Sequence, residues 1–243
     1  MHYDLIVIGM GLSGLMAAKT AAEAGKRALI IGKGMGSLCL FSNTIDVLGN
    51  LSEGMKMDDG LSQWIKNHPD HPYSKVGWER IEKPLSSFTS LFLSPYSFQT
   101  IGNENCLIPT GAGTLRPTYL IPNTMIAGTS LKKGNVLIVG FKGFKDFYAH
   151  YVANQLKYRG ITLPFPEVLN QEITATALAR LMEKESFRET IGIEINKQLL
   201  GETRVGFPAI LGLQDPIKVK KGLEEIIGAE VFEIPILPPS IPG

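Results

Sequence analysis

The sequence predicts an α/β fold built on a parallel sheet, and two observations carry that expectation. The first is the succession of strand, glycine-rich turn, helix and strand that opens the chain. The second is a later apolar run, Asn135-Val-Leu-Ile-Val-Gly140, again followed by a helical stretch. Tyr3 to Gly9 reads as a buried strand, Leu12 to about Ala24 as an Ala- and Leu-rich helix that Gly25 ends, and Arg27 to Ile31 as a second buried strand. Strand, helix and strand within about 30 residues make a right-handed βαβ unit with parallel strands.

Between Asn50 and Gly134 periodicity weakens and Pro, Ser, Gly and Asn are frequent, so only short helices are expected, near Leu61–Asn67 and Trp78–Leu91. After the strand at 135–140 comes a helix from about Lys145 to Arg159 with Gly160 as its terminator, then a strand at Ile161–Leu163. Ala175–Lys184 and Ser186–Leu200 read as helices, Pro208–Leu213 as a short apolar segment, Pro216–Ile227 as a helix opened by its proline, and Val231–Leu237 as a strand. The expected division is 1–50 for the first βαβ unit, 51–130 for an irregular connection, and 131–243 for a second α/β region. Parallel sheets ordinarily continue from a strand into another helix, so the ending Ile236-Leu-Pro-Pro-Ser-Ile-Pro-Gly243 reads as a C-terminally incomplete fold.

With 243 residues the chain accommodates one large or two modest domains. Its 24 basic and 23 acidic residues, without clusters of one sign, give no electrostatic ground for nucleic-acid binding. Cys39 and Cys106 match no zinc or redox spacing and are expected as reduced thiols in a cytoplasmic protein. No metal site is expected. Neither a cleavable leader nor a span of about 20 apolar residues is apparent, which leaves peripheral attachment through a partner as the route to a membrane.

In Ile8-Gly-Met-Gly-Leu-Ser-Gly14, Gly9, Gly11 and Gly14 fill the three positions of a dinucleotide fingerprint. The first permits the sharp turn, the second lets backbone approach a pyrophosphate, and the third lets helix and strand pack closely. Leu12, Ser13 and Gly14 open the helix, whose unpaired N–H groups face the anion. The context makes this a Rossmann-like FAD/NAD(P)-binding unit. The acid that normally holds the ribose at the end of the second strand is missing, however: Gly32 stands there, and Lys33, a candidate cofactor contact, follows. FMN with its single phosphate, FAD held by other contacts, and a degenerate empty site are the alternatives. Ser37, Ser42, Asn43 and Thr44 lie in the next loop, where they are candidates to contact phosphate or the flavin ring, although such residues are also ordinary turn formers.

Beyond the glycines, the chain resembles the B subunit of the anaerobic glycerol-3-phosphate dehydrogenase family. The resemblance rests on the loop Ser37–Leu48, on His71-Pro-Tyr-Ser74 with Gly77, and on Gly113-Thr-Leu-Arg116 with Thr118. It continues through Asn135–Gly140 to Asp146-Phe147 and Ala149-His150, and closes with Leu237-Pro-Pro-Ser240. The segments span nearly the whole chain in the family's order, while family members continue well past its end. The resemblance implies a flavoprotein subunit, with FMN as first cofactor and FAD as alternative, in a complex that oxidises sn-glycerol 3-phosphate to dihydroxyacetone phosphate and passes electrons to a quinone. It further implies a sister flavoprotein subunit and an iron–sulfur subunit that anchors the pair to the membrane.

Such an oxidation needs a base for the hydroxyl proton and cations for the phosphate. Arg116, preceded by Gly111-Ala-Gly113, is the candidate for substrate or flavin phosphate. His71 and His150 are the candidate bases. His71 also suits a capping or turn role, and His150, between Tyr148 and Tyr151 in a helix, is expected in the interior. Cys39 is a candidate for flavin contact. No cysteine cluster is present for an iron–sulfur centre. Two other readings are a non-catalytic assembly or electron-relay subunit and a nicotinamide-dependent dehydrogenase.

Overall fold

A computed structural model describes residues 2–34, 36, 38, 42–164 and 172–236. The chain divides into two compact units, one within Met1–Ser42 and the other spanning Asn43–Leu237.

The first unit contains β1 (Leu5–Ile8), α1 (Leu12–Glu23) and β2 (Ala28–Ile31). The strands pair in parallel, Leu5 opposite Ala28 and Ile8 opposite Ile31, as a βαβ unit requires. Asp4 secures the entry by accepting a hydrogen bond from the Arg27 amide at 2.8 Å. Gly25, with φ +73°, follows the end of α1 and lets the chain turn into β2. The strands are not buried as expected. Leu5 and Val7 are partly covered, but Ile6 and Ile8 are 55% and 86% exposed and Ile31 is 51% exposed. Among the described residues this sheet has two strands, with α1 packed beside both; the alternate β1 side chains Ile6 and Ile8, and the last two of β2, Ile30 and Ile31, remain open.

The second unit begins with α2 (Met57–Asn67), α3 (Pro72–Val76) and α4 (Glu79–Thr89), then two small antiparallel pairs. β3 (Phe98–Gln99) pairs with β6 (Ile121–Pro122), and β4 (Cys106–Pro109) pairs with β5 (Leu115–Thr118). A run of 3₁₀ turns over Asn123–Lys133 leads into β7 (Val136–Phe141), α5 (Ala149–Leu156), β8 (Arg159–Leu163), α6 (Ala175–Met182), α7 (Glu185–Gln198), β9 (Arg204–Pro208), α8 (Pro216–Ile227) and β10 (Glu230–Ile234). The four later strands form a parallel sheet in the order β10-β9-β7-β8. Its centre reads as continuous apolar sequence because it is covered on both faces: Leu137, Ile138, Val139, Val205, Phe207, Val231 and Phe232 are all fully buried. Val219, Leu223 and Ile227 supply one buried stripe of α8, while Ala149, Val152 and Ala153 do so for α5.

The expected borders near 50 and 130 do not coincide with this division. The 3₁₀ turns pack on β10, and Ile45 bridges Leu120, so the 51–130 stretch belongs to the same unit as the parallel sheet. The helix expected over Lys145–Arg159 is shorter, and its terminator is Lys157, in a left-handed conformation with φ 62°, rather than Gly160. Gly160 sits inside β8, where a Cβ would lie 2.8 Å from the Ala149 carbonyl oxygen and 2.9 Å from the Ala153 Cβ. Close approach of α5 to the sheet therefore explains that glycine. Of the short apolar segment Pro208–Leu213, only Pro208 belongs to a strand, as the end of β9 (Arg204–Pro208), and the remainder forms the turn after it. For α8 the expectation matches: Asp215 accepts from the Lys218 amide at 3.0 Å, Pro216 occupies the first turn, and Gly228 ends the helix at φ +76°.

Candidate functional site: the glycine turn

The three glycines of the opening turn have three distinct physical roles. Gly9 adopts φ +108°, a conformation L side chains avoid, and its amide donates to Ile31 O at 2.8 Å, tying the turn to the end of β2. Gly14 is a packing position: a Cβ there would come 2.7 Å from Gly9 O and 3.0 Å from Val7 Cγ1. Gly11 is different, because a Cβ at that position would meet nothing within 4 Å among the described residues. Its backbone is ordinary extended chain, φ −75° and ψ 171°, so neither strain nor packing against the described residues accounts for glycine there. Open space above the turn is what close approach of a ligand needs.

Gly11 is also the N-cap of α1, with no side-chain cap and no acid in the first turn. Leu15 makes the first intrahelical bond, to Gly11 O at 3.0 Å, so the amides of Leu12, Ser13 and Gly14 have no helical acceptor. A helix end with unpaired donors favours an anion. The phosphate part of a flavin nucleotide fits this arrangement. The ribose part of the usual fingerprint does not, because the Met10 side chain occupies the space beside Gly32: a Cβ on Gly32 would lie 2.2 Å from Met10 Cγ. Periodicity and spacing gave no sign of this contact, since residues 10 and 32 meet only when the two strands pair.

The other expected contacts are divided between the two units. Lys33 is exposed in the first unit and Ser42 is half-buried; Asn43 and Thr44 fall in the second unit. Ser37 and Cys39 lie outside the described residues, as do Leu237 to Ser240. Asn43 adopts φ 58° at the edge of a cavity of about 510 Å³ that also contacts Tyr96, Asn123 and Glu233. Thr44 is buried and its hydroxyl accepts from Arg116 Nη2, while Arg116 Nη1 bonds Asp46 Oδ2 at 3.0 Å. Arg116, expected as a phosphate ligand, thus has intrachain partners that join the 44–46 segment to β5. Both ends of this ion pair are more than a third exposed. Arg116→Ala should accordingly lower stability by no more than about 1 kcal/mol in chemical denaturation.

His71 is the N-cap of α3, its Nδ1 accepting from the Tyr73 amide at 3.2 Å and its ring set edge-on to Trp64. Its neighbour His68 stacks on Trp64 with ring centroids 4.0 Å apart. The capping role expected for this loop is therefore present. His150 departs from expectation: it is exposed in the first turn of α5, because Ala149, Val152 and Ala153 take the face turned to the sheet. It borders a cavity of about 970 Å³ with Lys142, Tyr148, Tyr151 and Thr162, at the carboxyl ends of β7 and β8. Cys106 is buried, donates to Thr118 O and has its thiol pushed up to about 11 by desolvation. Burial and the raised thiol both disfavour the nucleophilic thiolate at neutral pH. Iodoacetamide at pH 8 should label Cys106 only after unfolding, as peptide mapping would show.

The second sheet reverses strand order between β7 and β9, where open parallel sheets commonly bind ligands. There, however, the turn after β9 is satisfied by the chain itself. Glu183 Oε1 accepts from the amides of Leu213 and Gln214, both at 2.7 Å, and Glu233 Oε1 from Leu211 at 2.7 Å. Arg188, buried in α7, donates to the carbonyls of Met182 and Glu183 and closes the end of α6. Among the described residues there is no cluster of three or more potential metal ligands, and no helix is long and apolar enough to cross a membrane.

An α/β unit with a phosphate-ready glycine turn defines a flavin or dinucleotide-binding class. Residues 4–243 match the FAD binding domain family, and the chain belongs to it. It is 32% identical, over 99% of its length, to the B subunit of a probable anaerobic glycerol-3-phosphate dehydrogenase from Halobacterium salinarum. The corresponding B subunits of Pectobacterium atrosepticum and Vibrio cholerae are 31% and 30% identical over all of it. The chain spans 60–62% of the length of these relatives. No solved structure gives a significant match. The family supports a flavin cofactor and favours FAD over the FMN expected first.

Proposed function

We propose that this chain is the flavin-binding part of an oxidoreductase subunit that acts in a complex oxidising sn-glycerol 3-phosphate to dihydroxyacetone phosphate, with electrons delivered to a quinone. The observation that carries the flavin assignment is the cleared space at Gly11 in front of the open amides of Leu12, Ser13 and Gly14. The substrate follows from the likeness to the glycerol-3-phosphate dehydrogenase subunits. A bound flavin would supply the two-electron acceptor. What this chain contributes is the grip on phosphate: backbone donors fixed by Gly9 and Gly14, with Gly11 leaving room for the anion. The proposed partners are a sister flavoprotein subunit and an iron–sulfur subunit, through which the complex would attach peripherally to a membrane.

A second reading, a subunit that retains the fold while its partner oxidises the substrate, is favoured by the intrachain commitments of His71 and Arg116. The two are separated by purifying the chain with its natural companions, identifying the flavin released on heating, and adding glycerol 3-phosphate without oxygen. Bleaching of a flavin assigned to this chain by the loss of its signal in Gly11→Val supports the first reading. A bound flavin here that stays oxidised while the partner's bleaches supports the second. A colourless complex that takes up neither FMN nor FAD overturns both.

A further inference from the structure

We propose that Met10 is a cofactor-selecting residue: its side chain fills the corner in which an acid at position 32 would hold an adenosine ribose, so the turn grips flavin phosphate with little discrimination between FMN and FAD. This rests on the flavin reading above. Met10 lies inside the fingerprint, between the glycine that makes the turn and the glycine that clears space for phosphate. An ideal Cβ on Gly32 would fall 2.2 Å from Met10 Cγ, 2.8 Å from its Sδ and 3.3 Å from its Cβ. No side chain can stand at 32 while Met10 keeps this position. The pair is a volume exchange, a large residue at 10 balancing an absent one at 32.

The exchange changes the chemistry of the corner. A carboxylate accepts from both ribose hydroxyls, whereas a thioether is a weak acceptor. Lys33, the next residue, is exposed and carries donors only. The phosphate grip does not depend on this corner, since Gly11 has clear space of its own and the amides of Leu12 to Gly14 belong to α1. From this corner, adenosine therefore gains little beyond what the phosphate already contributes.

The test measures FMN and FAD dissociation constants on the full chain, purified with its companion subunits and stripped of flavin. The native chain should bind the two within about fivefold of each other. Met10→Ala combined with Gly32→Glu should tighten FAD by about tenfold or more while leaving FMN within about twofold, because one charge-assisted ribose contact is gained. A native preference for FAD above about a hundredfold, or a double variant that moves FMN and FAD equally, overturns the proposal. Should the Glu variant fail to fold, a thermal cycle reads the contact directly: Gly32→Ala should lower the unfolding midpoint and Met10→Ala/Gly32→Ala should restore it. Absence of that drop, or of the rescue, also overturns the proposal. If the cycle behaves as expected but no form binds either flavin, the flavin reading has failed and this inference falls with it.

Discussion

Gly11→Val abolishes flavin retention without unfolding the protein: that is the expected result with the largest functional effect. A valine Cβ at 11 meets nothing within 4 Å among the described residues and the local φ of −75° is open to any L residue, so the chain has no reason to rearrange. The branched side chain instead fills the space through which phosphate would reach the amides of Leu12, Ser13 and Gly14. Each charge-assisted hydrogen bond lost is worth about 1.5–3 kcal/mol. Losing two weakens binding by roughly a hundredfold or more. Flavin absorbance of the purified variant and its thermal unfolding midpoint are the two readouts. Gly14→Val is the informative contrast, because its Cβ is directed at Gly9 O and Val7 rather than at open space. That variant should lose structure and flavin together. Native flavin content in Gly11→Val would remove the glycine turn as the cofactor site.

The largest effect on stability is expected at Glu233. The residue is half-buried, but its carboxyl group is enclosed, accepting from Thr124 Oγ1 at 2.6 Å and from the Leu211 amide at 2.7 Å. Glu233→Ala leaves both donors unpaired and frees the turn after β9, a cost of roughly 3 kcal/mol measurable by urea denaturation. Desolvation raises the Glu233 carboxyl above its ordinary range, and the hydrogen bonds from Thr124, Leu211 and Ile210 only partly oppose it. A raised folded-state value means that the proton is held more tightly in the folded chain. The associated stability is complete below the unfolded carboxyl pKa and is lost as pH rises through the folded one. Glu233→Gln keeps an acceptor for Leu211 without that titration. The stability of Glu233→Gln relative to the native chain should therefore increase between pH 4 and pH 7; a difference independent of pH would contradict burial as the cause.

Much of the architecture was legible locally. The β1-turn-α1-β2 succession carries its own punctuation in Gly9, Gly11, Gly14 and Gly25, and α8 is announced by Asp215-Pro216 and closed by Gly228. These signals act through the dihedral angles and hydrogen bonds of neighbouring residues, so spacing alone reveals them. Gly160 shows the opposite case. It looks like a helix terminator until α5 is laid against β7 and β8, when it proves, like Gly140, to be a point of close approach to Ala149. His150 misleads for a similar reason: its aromatic neighbours suggest a buried face, but the helix turns its small residues to the sheet.

The candidate site divides along the same line. The amino-acid order alone determined a glycine turn with the spacing of a dinucleotide fingerprint and the lack of an acid at position 32, because both depend on residues within one βαβ unit. Only the tertiary structure decided that Met10 occupies the vacated corner, that Arg116 is engaged by Asp46 and Thr44, and that Glu183 and Glu233 claim the turn after β9. Those pairings join residues from 22 to more than 70 positions apart. Which donor finds which acceptor at such separations is set by strand register and helix packing, and neither is contained in the residues of one segment.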